Sequence, residues 1–287
     1  MMPCCWGIFR ERQHSPGREF DDTEILRLVA KHLEATGYRV ILKTPEDLGG
    51  GDEPLPVLVF LMCERTDALA FLETLKAKGI PHVNPLQAVL NTYRDRMIRL
   101  LVAAAVPIPE SHIVPSDPSG LDQNVTLLGT YRFPAWVKRG DVHNTGEGDV
   151  EFVRSPEELR EAVAALHGRG IPRVVLQRHV VGDLIKFYGV GRPRRGDRRG
   201  AWFRWFYHRE QQLARHPFSE KALQTLAGRA ALALGLEIYG GDAIVTSGGE
   251  IFLIDINAWP SFALYREEAS YQIAQWLLRL LTDRTSR

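Results

Sequence analysis

The stretch "FLIDINAWPSF", residues 252–262, would be a buried apolar strand were it not for an aspartate and an asparagine two residues apart and a proline that stops it. Strand alternation puts Ile251, Leu253, Asp255 and Asn257 on one face and Phe252, Ile254 and Ile256 on the other. One face is then core and the other half polar. The longer run "YGGDAIVTSGGEIFLIDINAWP", residues 239–260, reads as a β-hairpin turning at Gly248 and Gly249, a dipeptide suited to two positive-φ positions. With those two glycines as the loop, Ser247 faces Glu250, Ala243 faces Ile254, Asp242 faces Asp255 and Gly240 faces Asn257.

Two carboxylates directly opposite each other repel, and a divalent cation is a natural resolution. Two carboxylates and an amide oxygen are hard ligands, suited to a Mg²⁺ that keeps waters and binds substrate phosphates. The alternative is a solvent-facing hairpin whose carboxylates relax apart in water.

The chain around this hairpin has 287 residues, 45% hydrophobic and 25% charged, which bounds it to an ordinary globular protein of two or three lobes. A formal net charge of +1 makes a nucleic-acid partner unlikely. The cysteines, Cys4, Cys5 and Cys63, include an adjacent pair and no metal-type spacing, so neither a disulfide framework nor a zinc site is expected, and a reducing cytoplasm suits them. No signal segment opens the chain. An apolar run such as "VLVFLMC", residues 57–63, is of strand length, far below a membrane span.

Residues 1–85 alternate strand-like and helix-like runs, among them the helical "DTEILRLVAKHLEATGY" and "DALAFLETLKAKG", and read as a small α/β domain. Residues 86–180 begin with one or two helices closed by Pro107 and Pro109 and continue as strands around "AWVK", "EFV" and "VVLQRHV". Residues 181–287 hold the strand "LIKFYGVG", an aromatic strand "AWFRWFYH", a helix, the hairpin and a last amphipathic helix.

Asp242, Asp255 and Asn257 resemble the metal-binding acid, acid and asparagine of the ATP-grasp superfamily. The resemblance implies an α/β fold in which two lobes, here 86–180 and 181–287, clamp Mg-ATP behind the small N-terminal domain. In "FPAWVKRGDVHNTGEGDVEFV" it makes Lys138 the phosphate-binding lysine at the end of a strand, followed by a lid carrying Gly140, Gly146 and Gly148. In "RVVLQRHVVGDLIKFYGVG" it makes Gln177, Arg178, His179 and Val180 the hinge whose main chain borders adenine, and sets Asp183 near the ribose. Arg96 stands where many relatives carry a first ATP-binding lysine, a departure, since a guanidinium is not interchangeable with an ammonium.

The acceptor is less defined. "DINAWP" resembles the "DINAFP" run of the inositol polyphosphate kinases, "IKFYGVG" resembles their "FKVYVVG" strand, and His143, five after Lys138, stands where they carry a histidine that contacts substrate and phosphate. That branch implies a hydroxyl acceptor, with His143, Lys186 and Arg204 as candidate catalytic groups. Ser261 and Phe262 depart from the glycine and aromatic that usually follow its proline. The reading leans to this kinase-like transfer, against a carboxylate–amine ligase acting through an acyl phosphate, and against a non-catalytic nucleotide-binding module. Either enzyme needs a small anionic substrate, a phosphorylated polyol or an amino acid or peptide carboxylate. The arginines of "GRPRRGDRRGAWFRWFYHRE" suit both, and a plain solvated hairpin tip as well. Oligomeric state is not readable.

Overall fold

A computed structural model describes residues 2–14, 17–50, 53–117, 132–142, 146–192 and 201–285. His143 and the arginines at 194, 195, 198 and 199 lie outside these residues.

Three four-stranded sheets make the frame. The first is parallel and runs β2-β1-β3-β4, with β1 (Cys4–Ile8), β2 (Arg39–Lys43), β3 (Leu58–Leu61) and β4 (His82–Val83), connected through α1 (Glu19–Glu34) and α2 (Thr66–Ala77). Both β1 and β3 are buried along their whole length, which is why they read as continuous apolar runs rather than alternating ones. Two short helices follow, α3 (Leu86–Asn91) and α4 (Arg94–Ala103).

The second sheet is antiparallel, in the order β5-β8-β6-β7, with β5 (Ser111–Pro115), β6 (Ala135–Arg139), β7 (Val150–Val153) and β8 (Arg173–Arg178). Helix α5 (Pro156–Gly168) covers it, started by Ser155, whose hydroxyl accepts the Glu158 N–H at 3.2 Å. The third sheet is antiparallel in the order β10-β9-β11-β12, with β9 (Asp183–Val190), β10 (Trp202–Tyr207), β11 (Ile238–Val245) and β12 (Ile251–Ala258). Helices α6 (Glu220–Leu234) and α7 (Arg266–Thr285) belong to this part; α6 ends at Gly235 in the left-handed conformation, φ +81°.

The second sheet has a core of its own, built on Val137, Leu166 and Leu176. The first and third share theirs: one cluster joins Trp6 and Leu61 to Phe187 and Leu253, another joins Ile25 and Phe60 to Trp259 and Ile273. Polar ties reinforce this contact. Asn84, just after β4, accepts the Glu237 and Ile238 N–H groups at 2.7 and 2.8 Å and donates to the Ile238 carbonyl at 2.7 Å. Arg10, just after β1, donates to the Trp259 carbonyl at 2.6 Å.

The hairpin departs from its expected register. Only Gly249 takes positive φ, +78°, and Thr246 N–H donates to the Glu250 carbonyl, so the loop has three residues, Ser247 to Gly249. Ala243 therefore faces Leu253, not Ile254. A β-bulge then absorbs Ile254, and below it Asp242 faces Asp255 and Gly240 faces Asn257, as the sequence suggests. The bulge also revises the faces: Leu253 is core, while Ile254 turns with Asp255 and Asn257 to the open side.

Candidate functional site

A cavity of about 830 Å³ opens between the second and third sheets and is closed on a third side by residues from the end of β1, the start of α1 and the end of β3. Lys138 and Gln177 come from β6 and β8; Lys186, Asp242, Asp255 and Asn257 come from β9, β11 and β12. Strand pairing alone sets the latter: Lys186 is opposite Asp242 on one side, and Asp255 is opposite it on the other.

Protein cations already meet the two facing carboxylates. Lys186 Nζ lies 2.8 Å from Asp242 Oδ1, and Arg94 Nη2 lies 3.8 Å from Asp255 Oδ2. The repulsion for which a divalent cation is a natural resolution is thus already offset in part from within the protein. The donor set nonetheless suits such an ion: two carboxylates and an amide on one wall, with Lys138, Arg94 and Lys186 around them to take phosphate charge. Among the described residues no group of three or more His, Cys, Asp or Glu could hold a metal by itself, so an ion here would complete its shell with water and substrate oxygens.

Lys138 is buried and donates to Gln177 Oε1 at 2.7 Å; Gln177 in turn donates to Ser111 Oγ at 3.0 Å. Burial, then the charge of Arg94, pushes the Lys138 ammonium down to about 8 against the pull of Asp255 and Asp242. Arg94 is buried too, anchored on the Arg139 carbonyl at 2.9 Å, and desolvation holds it below its ordinary value.

Trp136, His179, Val180, Leu184, Ile244 and Ile254 give the cavity an apolar region. The Trp136 indole donates to His179 Nδ1 at 3.1 Å, and Phe152 packs on both rings. An indole N–H only donates, so the neutral imidazole carries its proton on Nε2; burial lowers the His179 pKa and favours that neutral form. Main-chain donors of the hinge are largely spent: Arg178 N–H on the Glu110 carbonyl and His179 N–H on the Pro134 carbonyl.

On the third side, Arg10 is held by Glu64, by Asp22 at 3.1 Å and by the Trp259 carbonyl. Beyond it lie His14, Arg18, Pro260 and Ser261. Trp259 and Phe262 have φ of +40° and +51°, conformations that bulky residues avoid unless packing dictates them. Both are fully buried; Trp259 stacks on Phe60, and Phe262 packs on Tyr188 and Trp202, so Pro260 and Ser261 are held rigidly at the cavity edge.

The D-alanyl-alanine synthetase A from Vibrio cholerae superposes on this chain with a TM-score of 0.73, at 15% identity, over 98% of each chain. The D-alanine-D-alanine ligase from Coxiella burnetii does so at 0.73 and 15%, over 99% of this chain and 97% of its own. A RimK domain protein ATP-grasp from Sphaerobacter thermophilus gives 0.67 and 17%, over 96% and 99%. The chain has the ATP-grasp fold. No protein-family model and no curated protein matches the sequence.

Within this ATP-grasp fold, Lys138, Gly146, Gln177, Arg178, His179, Val180, Lys186, Asp242, Asp255 and Asn257 line the same cavity. Gly148 sits just behind it at φ +76°, in a turn that Asp149 ties down by accepting the Gly146 N–H at 3.0 Å and pairing with Arg139 and Arg169. Three expected residues are elsewhere. Arg96 is exposed on α4, and the arginine of that helix that lines the cavity is Arg94. Asp183 is buried with its oxygens taken by the Ala214 and His216 N–H groups at 2.8 and 2.7 Å, so it pins a loop instead of facing a ribose. Arg204 points away, paired with Glu268 of α7 over the face of Trp202. Arg94 was legible in principle: with Met97, Ile98 and Leu101 it falls on the inward stripe of α4, and Arg96 does not. Arg10, Arg18, Asp22 and Glu64 carry no sequence signal, because only the fold brings the first sheet to the cavity.

Proposed function

We propose that the chain is a Mg-ATP-dependent carboxylate–amine ligase. The observation that supports this over transfer to an inositol phosphate is the charge balance at the end of the cavity made by the first sheet. Among the described residues its two arginines, Arg10 and Arg18, stand against two carboxylates, Asp22 and Glu64, both of which pair with Arg10, which also donates to the Trp259 carbonyl. A polyphosphate would call for several unmatched cations. A small acceptor with one carboxylate needs only Arg18 and the neighbouring lysines. The extent of the likeness to amino-acid ligases, first sheet included, points the same way.

In this reading the base occupies the apolar region beside Trp136 and His179, and the phosphates lie between Lys138 and the wall of Asp242, Asp255 and Asn257. Bound there, Mg²⁺ would neutralise phosphate charge and polarise the phosphoryl group. Lys138, released from its burial cost by the arriving anion, holds the phosphates in line, and the acceptor carboxylate attacks the γ-phosphorus to give an acyl phosphate and ADP. An amine then attacks the acyl carbon, the C–O bond to phosphate breaks, and the amine proton leaves with solvent. No base is needed for the first step, since a carboxylate is already ionised.

Hydroxylamine trapping tests this. With ATP, Mg²⁺ and a panel of amino acids and short acidic peptides, a ligase yields a hydroxamate and ADP. Phosphate ester formed from a polyol phosphate, with no hydroxamate from any carboxylate, would restore the kinase reading, which rests on the "DINAWP" and "IKFYGVG" matches. For location the structure adds only that no helix among the described residues is long and apolar enough to cross a membrane.

A further inference from the structure

Lys186, Asp242 and Asp255 form one row across β9, β11 and β12, each facing the next by strand register. The Lys186 ammonium sits on Asp242 Oδ1 at 2.8 Å, and both side chains are about a quarter exposed. The cation beside Asp255 is different in kind: Arg94 is buried and fixed on the Arg139 carbonyl. Lys186 carries its charge on a flexible four-carbon stem along the cavity wall and can point elsewhere. An ion bound by Asp242, Asp255 and Asn257 would stand within a few ångströms of that ammonium, where like charges in a partly buried site repel strongly. One carboxylate cannot hold both cations at full strength.

We propose that Lys186 is the resident counter-ion of Asp242, that a divalent cation displaces it, and that the freed ammonium turns to the anion arriving with the metal: the phosphoryl group or the acceptor carboxylate. Lys186 is thus a positioning residue coupled to the metal site. Metal alone has to expel it with no phosphate or acceptor carboxylate there to receive it; metal and nucleotide together do not. The inference rests on the Mg-nucleotide reading of the cavity.

The test uses Mn²⁺ as probe, by calorimetry and electron paramagnetic resonance on EDTA-treated full-length protein. Lys186→Met and Lys186→Gln, both checked for fold by circular dichroism, should bind Mn²⁺ alone about tenfold more tightly than wild type, within the usual range of coupled binding events, yet bind Mn-ATP more weakly. Lys186→Arg should keep the wild-type weakness toward Mn²⁺. A lysine with only a structural role predicts equal or weaker Mn²⁺ binding in every variant, and that result overturns the displacement. In wild type, amine acetylation of Lys186 followed by mass spectrometry should quicken on adding Mn²⁺; an unchanged rate overturns it without any variant. Mn-ATP that binds wild type and Asp255→Asn equally well would remove the underlying site reading, and this proposal with it.

Discussion

Lys138 donates its ammonium to Gln177 Oε1 at 2.7 Å inside a cavity wall where both are buried, and burial brings its pKa down to about 8 at the place where the proposed function puts phosphate. Below pH 8 the charge is present in folded and unfolded chain alike, and its burial weakens the fold. Between about 8 and the ordinary value of 10.5 the folded chain releases the proton first, the unfolded chain binds more protons, and stability rises with pH. Lys138→Met should therefore stabilise the nucleotide-free protein at pH 7 by about 1–2 kcal/mol, less than the pKa shift alone implies because the hydrogen bond to Gln177 is lost. Urea melts at pH 7, 9 and 10.5 should show that gain shrinking with pH. A mutant less stable than wild type at pH 7 contradicts the assignment.

The same lysine makes nucleotide binding take up protons. An arriving triphosphate raises the Lys138 pKa again, so ATP binding at pH 8.5 should consume a fraction of a proton that is absent at pH 6.5. Calorimetry in buffers of different ionisation enthalpy measures it, and Lys138→Met should abolish it.

Asp149 is fully buried and holds Arg139, Arg169 and the Gly146 N–H. The resemblance makes the segment after Lys138 a lid, and its glycines and small polar residues give it little to pack; at its end the structure shows Asp149 tying down the turn at Gly146. Asp149→Asn should cost less than the roughly 3–5 kcal/mol of a fully buried pair, because Arg169 is part exposed, and hydrogen exchange should speed up over residues 146–150. Exchange unchanged there would mean that the anchor lies elsewhere.

Asp183 and Asp255 provide a contrast between aspartates. Asp183→Asn removes charge from a side chain that accepts two main-chain N–H groups and should lower stability by about 1–3 kcal/mol, with ATP affinity within threefold of wild type. Asp255→Asn takes the carboxylate from buried Arg94, so the melt falls here too, but it should in addition remove Mg-dependent nucleotide binding. Thermal melts with and without Mg-ATP separate the two, and the opposite pattern would exchange their roles.

Arg94 and Arg96 form a second such pair. Arg96→Ala, on an exposed helix face, should change stability by less than about 0.5 kcal/mol and leave the nucleotide affinity unaltered. Arg94→Ala strips Asp255 and the Arg139 carbonyl of their partner and should weaken ATP binding at least tenfold. Equal effects from both would put the phosphate elsewhere.

What the sequence discloses follows from how local each signal is. The acid pair opposite each other on the hairpin, the lysine ending β6 and the cavity strands β8 and β9 are legible because strand period and turn residues are local. Asp183 misleads because the resemblance sets it near a ribose, whereas the main-chain groups that claim its oxygens come 31 and 33 residues later. Arg204 misleads because its partner, Glu268, belongs to the last helix. Arg10 reaches Trp259 across 249 positions, and no window on the chain spans that distance.

The bulge at Ile254 divides the hairpin into two registers. Above it the strands count from a three-residue loop; below it they count from Asp242 and Asp255, which are held in addition by β9 and by the core beneath Leu253. The tip is thereby insulated from the acids. A short peptide tag inserted between Gly248 and Gly249 would shift the pairing only as far as the bulge, which makes the tip a usable attachment point for a fluorophore that reports on the cavity without altering it.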